Sequence, residues 1–141
     1  MLCTNIPIRL PFGGIAARPL IQVTARSQSK ATRLCNNHVH HCTQVPRRAV
    51  AAELKGFHTE DYINFLSYVT VENQDSLQQQ LRYFNMTEDC PVFDGLWEFC
   101  SIYAGASIQA ATRINHGLSD IAINWSGGLH HAKKAEASGK P

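Results

Sequence analysis

Asn124-Trp-Ser-Gly-Gly-Leu-His-His-Ala-Lys-Lys-Ala-Glu-Ala-Ser-Gly139 is the stretch on which the reading of this chain turns. It opens inside a short β-branched run, Asp120-Ile-Ala-Ile-Asn-Trp125, of the kind that forms a strand. Ser126-Gly127-Gly128 then makes a glycine turn, which lets backbone pass close to a ligand or a neighbour. Two histidines follow, His130 and His131. Adjacent imidazoles on a short loop can both face one small volume, one accepting a proton and the other donating. A single histidine in such a place is more simply a satisfied or solvent-facing ring, so it is the pairing that marks a candidate site. Helices, then a strand, a glycine loop and a histidine pair, in that order, point to an α/β domain with its site at the carboxyl end of a strand.

Working back towards the N-terminus, the strongest helical pattern covers residues 94–115. Leu96, Phe99, Cys100, Tyr103, Ser107, Ala110 and Ile114 trace one stripe, and Ala104-Gly105-Ala106 allows close packing. His116-Gly117 supplies the stop. Residues 85–92, around Cys90-Pro91, read as a loop, because the residue before a proline resists helical geometry. A short helix is expected over 75–82, with Leu77 and Leu81 inward and three glutamines outward. Another begins behind Thr59 as N-cap, with Glu60 and Asp61 in the first turn, where the helix dipole favours negative charge. Its inward face is Tyr62, Phe65, Leu66 and Val69.

Charge divides the chain near Glu53. Residues 1–52 contain no Asp or Glu but carry Arg9, Arg18, Arg26, Lys30, Arg33, Arg47 and Arg48, which is +7 of the overall +2, leaving −5 for the remainder. Prolines and a Gly13-Gly14 pair interrupt this basic part, and its short apolar runs at 6–10 and 20–23 show no evident partner. Residues 1–52 are therefore expected to be an unmatched basic leader, either disordered or the product of a misread first exon, with an organelle address as the minor alternative. Residues 53–141 form the second unit. The 141 residues suffice for one modest core. The five cysteines form no even framework, which argues against a disulfide scaffold. No apolar run reaches the eighteen residues that suggest a membrane span. Cys35-Asn-Asn-His-Val-His-His-Cys42 gathers zinc-competent side chains, but structural sites usually come as two separated pairs, so an adventitious cluster is the simpler reading.

The string 124–139 resembles the signature of the class I zinc-dependent histone deacetylases. So do Phe57-His-Thr-Glu-Asp-Tyr-Ile-Asn-Phe-Leu66, which is similar to that family's helix opening, and Phe84-Asn-Met-Thr-Glu-Asp-Cys-Pro-Val-Phe-Asp-Gly-Leu96, which is similar to its substrate-rim loop. The resemblance implies an incomplete arginase/deacetylase-type parallel-sheet domain, of class α/β, made mostly of its N-terminal helices plus one strand. It implies zinc-dependent hydrolysis of ε-acetyl-lysine in chromatin repression. His131 would be the general base, and His130 its partner, hydrogen-bonding the same water and the developing oxyanion. Asp89 would accept the substrate's backbone N–H groups, Gly139 would line the acetyl-lysine channel, and Gly127 and Gly128 would line an internal cavity. The implied partners are acetylated histone tails or other acetyl-lysine proteins and co-repressor subunits, in the nucleus or also the cytoplasm, with no direct nucleic-acid or membrane contact. Lys133 and Lys134 are too few for a basic patch and are expected on a solvated face or against backbone.

The signature breaks at Lys140, where an aromatic channel wall belongs. The family's Asp-x-His zinc-ligand motif does not occur within 1–141, so the chain itself supplies no metal ligand of the expected set. The family's tyrosine-rich opening strand and His-Pro segment are not found in residues 1–52 either. The expectation is a deacetylase piece that is inactive alone; the alternative is a catalytically dead short isoform that binds co-repressor partners.

Overall fold

A computed structural model describes residues 21–25, 40–127 and 131–138. Three strands, β1 (Ile21–Ala25), β2 (His40–Gln44) and β3 (Ile121–Asn124), form a sheet of order β2-β1-β3. The helices are α1 (Ala51–Leu54), α2 (Glu60–Tyr68), α3 (Gln78–Tyr83, entered through a 3-10 turn at Gln74–Leu77) and α4 (Leu96–Asn115).

The sheet corrects the expectation of a single strand in a parallel sheet, for the described residues. There are three strands, and both pairings are antiparallel: Ile21 faces Gln44 on one side and Asn124 on the other. The signal for β1 lies in Ile21, Val23 and Ala25 alternating with Gln22 and Thr24, a period of two. Its partner β2 is His-His-Cys-Thr-Gln, which has no apolar alternation, so the pairing is not visible locally.

α2 forms as its pattern predicts. Tyr62, Ile63, Leu66 and Val69 are almost fully enclosed, and Phe65 stacks on Phe84 with ring centroids 4.7 Å apart. Thr59 occupies the N-cap position in extended geometry, but its side chain makes no capping bond. The helix expected over 75–82 is tighter at its start, a 3-10 turn, and only Leu81 of its two leucines is buried while Leu77 is half-buried.

α4 is the axis of the molecule. It starts at Leu96 rather than at Asp94, behind Gly95 as N-cap, whose φ of 76° places it in the left-handed region. It ends in a Schellman arrangement. Gly117, at φ 66°, donates to the Ile114 carbonyl, and Leu118 donates to that of Arg113. Its buried surface is broader than one stripe. Leu96, Cys100 and Ala104 join the main core with α2 and α3, while Ala106 and Ala110 pack against Ala122 of β3. Ile114, expected inward, is exposed at the last turn. Cys90 and Cys100 are buried, as small apolar residues would be.

The segment before α1 crosses α4 at Gly105. The Ala49 N–H donates to the Ser101 carbonyl at 2.8 Å, and a Cβ on Gly105 would stand 2.1 Å from the Arg47 carbonyl oxygen. Side chains reinforce the crossing. Glu53 accepts two hydrogen bonds from the Arg47 guanidinium and one from the Val50 N–H, which together hold its carboxyl down at a pKa of about 2. Gln44 accepts from Arg113 at 3.3 Å, and Arg48 pairs with Glu98. Packing is thus continuous across the point where the charge changes sign.

Candidate functional site

Two segments carry the described candidates: the loop after α3, with Asp89, and the segment 131–138, with His131. The structure joins them through backbone. At one end of segment 131–138, the Lys134 carbonyl accepts the Thr59 N–H at 3.0 Å, and Nδ1 of His58 lies 3.3 Å from the same oxygen. At the other end, the Ala137 N–H donates to the Phe84 carbonyl at 2.8 Å, and the Asn85 side-chain amide donates to the Ala137 carbonyl at 2.9 Å. Ala137 is fully enclosed. The segment that follows His131 is therefore fastened at the start of α2 and again at the exit of α3.

The loop side begins at Asn85, the one non-glycine residue with positive φ (55°) among those described. A turn closes by the Cys90 N–H donating to the Thr87 carbonyl, and Cys90 sits in the core. Asp89 lies between these two, half-buried. A carboxylate at this position before Cys90-Pro91 can also cap a turn. That turn is closed by backbone groups instead.

The strand side ends in a hub at Asn124. Its amide donates to the Tyr103 carbonyl at 3.1 Å and to the Ser107 hydroxyl at 2.9 Å, both on α4. Its side-chain oxygen accepts the Ser126 N–H, and its carbonyl accepts that of Gly127. A Cβ on Gly127 would stand 3.3 Å from that carbonyl oxygen, so the turn is tight as well as pinned. β3 thus delivers the glycine turn at a fixed place beside α4. Its other face, Ile121, Ile123 and Trp125, is exposed.

Of the candidates read from sequence, Asp89, Gly127 and His131 are within the described residues, and His131 is exposed. His130, Gly128 and Gly139 lie outside them. The Cys35–Cys42 cluster also falls outside, apart from the backbone of β2. Lys133 forms an ion pair with Glu136 at 2.7 Å on the exposed face, and Lys134 serves through its backbone. Sequence reasoning passed over His58, Asn85 and Asn124. His58 sits at the boundary just before the Thr59 N-cap of α2 and is buried, edge-on to Phe57 and Tyr62. The one available signal was an Asn between apolar residues at the head of a loop, since asparagine tolerates the left-handed region.

For zinc, the donor set decides. A catalytic zinc needs about three protein ligands. Among the described residues no group of three or more His, Cys, Asp or Glu side chains is placed to hold a metal ion. No helix among the described residues is long and apolar enough to cross a membrane.

Comparison with known proteins gives a match to the histone deacetylase domain over residues 20–139. The match begins upstream of the charge change and takes in β1 and β2. The chain is 57% identical over 94 residues to type-1 histone deacetylase 1 of Dictyostelium discoideum, covering 67% of this chain and 19% of that protein. It is 60% identical over 94 residues to histone deacetylase 2 of rice, covering 67% of this chain and 18% of the relative. With histone deacetylase 9 of Arabidopsis thaliana it shares 47% over 119 residues, 78% of this chain and 28% of the relative. The match thus spans 18–28% of the length of these relatives. With the domain match running over residues 20–139 and these identities to histone deacetylases, the chain belongs to the histone deacetylase family.

Proposed function

We propose that this chain is the front part of a class I lysine deacetylase domain, acting in its complete form on ε-acetyl-lysine of histone tails or other proteins in nuclear repressor complexes. The observation that carries the reading is the string 124–139. It leaves β3 through a turn pinned by Asn124, and its far end is clasped to the root of the Asp89 loop. That arrangement suits a proton acceptor working beside a substrate-holding carboxylate.

The roles follow from the chemistry of each group. An imidazole nitrogen of His131 accepts the proton of the attacking water. His130 hydrogen-bonds the same water and the oxygen on which negative charge develops. Asp89 accepts hydrogen bonds from the substrate backbone, and so holds the acetyl-lysine in line with the histidines. Gly127, Gly128 and Gly139 leave room where a side chain would obstruct the cavity and channel. Zinc, the cofactor proposed for the complete domain, would supply polarisation of the acetyl carbonyl. Its ligands are not offered by the described residues, and the steps above belong to this chain's own groups.

On this reading the 141-residue chain alone has no deacetylase activity, since proton-transfer groups contribute about 10²–10⁴-fold and do not replace a metal. The test is an acetyl-lysine peptide assay on the purified chain beside a chimera in which its matched segment replaces that of the rice relative. Turnover by the chimera and none by the chain supports the reading. Zinc-dependent turnover by the chain alone, or an inactive but folded chimera, counts against it.

A further inference from the structure

Asn85 is placed where the two halves of the proposed site meet. Its φ of 55° lies in the left-handed region. That region costs a non-glycine residue roughly 1–2 kcal/mol. Glycine would meet the same backbone requirement at lower cost, so what asparagine adds is its amide. The amide donates to the Ala137 carbonyl at 2.9 Å, while the neighbouring Phe84 carbonyl accepts the Ala137 N–H at 2.8 Å. Together these form a two-point clasp on an enclosed alanine. Chain length makes the clasp consequential. Asp89 is four residues beyond Asn85, a reach of at most about 14 Å. His131 is three residues before Lys134, a reach of at most about 11 Å. Lys134 is itself bonded to Thr59. Asp89 thus hangs on a short tether from the clasp at Asn85, and His131 on a short tether from the bond between Lys134 and Thr59, three residues before the clasped Ala137.

We infer that Asn85 is a positioning residue, its side-chain amide setting the placement of the Asp89 loop relative to the His131 segment. This rests on the roles proposed above for Asp89 and His131. The first substitution is Asn85→Gly, which tolerates the same backbone conformation and removes the side-chain amide. Asn85→Asp, which tolerates the same φ but cannot donate, should behave alike.

Two measurements test it. In the 141-residue chain, hydrogen exchange at the Ala137 amide should quicken about tenfold in Asn85→Gly, while exchange at Leu66 in α2 stays as it was. An unchanged Ala137 rate overturns the inference. In the active chimera, peptide turnover should fall roughly ten- to hundredfold, the scale of a misplacement near about 1 Å. A small acetyl-lysine analogue lacking backbone amides should lose far less, because Asp89 does not hold it. In an Asp89→Ala background, Asn85→Gly should add less than about twofold to the loss, as expected for residues acting as a unit. Equal losses on both substrates, or full additivity with Asp89→Ala, would make Asn85 a structural turn residue and overturn the inference. Should Asp89→Ala leave peptide turnover intact, the rim reading fails first and takes this inference with it; that outcome is distinct from the others.

Discussion

Replacing Gly105 by alanine sets two physical effects against each other, and the structure decides between them. In an exposed helix interior, Gly→Ala stabilises by about 1 kcal/mol through helix propensity. Here the new Cβ would lie 2.1 Å from the Arg47 carbonyl oxygen and 2.7 Å from the Ala49 nitrogen, both backbone atoms. Ordinary C···O contacts begin near about 3.3 Å, so the segment crossing α4 must withdraw by about 1 Å or more. That movement breaks the 2.8 Å bond from Ala49 to the Ser101 carbonyl. Losing it costs roughly 1 kcal/mol. The remaining strain is of the overpacking kind, about 1–3 kcal/mol. After subtracting the propensity gain, the net effect is a destabilisation of about 1–3 kcal/mol. For a chain of this size that lowers Tm by roughly 4–12 °C. Urea unfolding followed by circular dichroism and by tryptophan fluorescence would measure it. A midpoint equal to or above that of the parent chain would refute the close crossing of residues 47–49 over α4.

Gly117→Ala serves as the counterpart: φ is 66°, but nothing lies within 4 Å of the added Cβ. Only the backbone penalty of roughly 1 kcal/mol is therefore expected, read in the same unfolding experiment. Glu53 predicts the acid limb of stability. Its folded pKa is depressed to about 2, chiefly by the Arg47 hydrogen bonds, from an ordinary 4.5. Its contribution is therefore complete above pH 4.5 and fades as pH falls towards 2. Glu53→Gln should be slightly less stable than the parent at about pH 7 and equal to it by about pH 2. Because the pair is exposed, the difference should be small and should shrink further with added salt. A constant gap between the two proteins across that pH range would contradict the ion pair.

Much of the fold was legible because it rests on local periodicity. The α2 face, the end of α4 at His116-Gly117 and the β3 run are each encoded within one element. What was not legible depends on pairing at a distance. β2 is polar and acquires its role only from β1, and Gln44 becomes intelligible once Arg113 is seen to reach it across the molecule. α4 buries a wider surface than its stripe suggested because both of its flanks are covered, and a periodicity reading supposes one. At the site, the residue types of Asp89 and His131 could be read from the string. The groups that hold them could not, since His58 and Asn85 act by contacting the carbonyls of Lys134 and Ala137, more than fifty residues away. A backbone acceptor leaves no trace in residue type. His130, Gly128 and Gly139 lie outside the described residues, so their roles stand on the string itself.

His131 is where the account is most exposed to refutation. In the active chimera, His131→Ala removes the proposed proton acceptor while leaving the clasped segment after it intact. The ordinary scale for losing such a group is roughly 10²–10⁴-fold in turnover, and a fall of that size on an acetyl-lysine peptide, with an unchanged unfolding midpoint, is the predicted result. Near-parental turnover in His131→Ala would contradict the assignment of this chain's histidine pair to the chemistry of deacetylation.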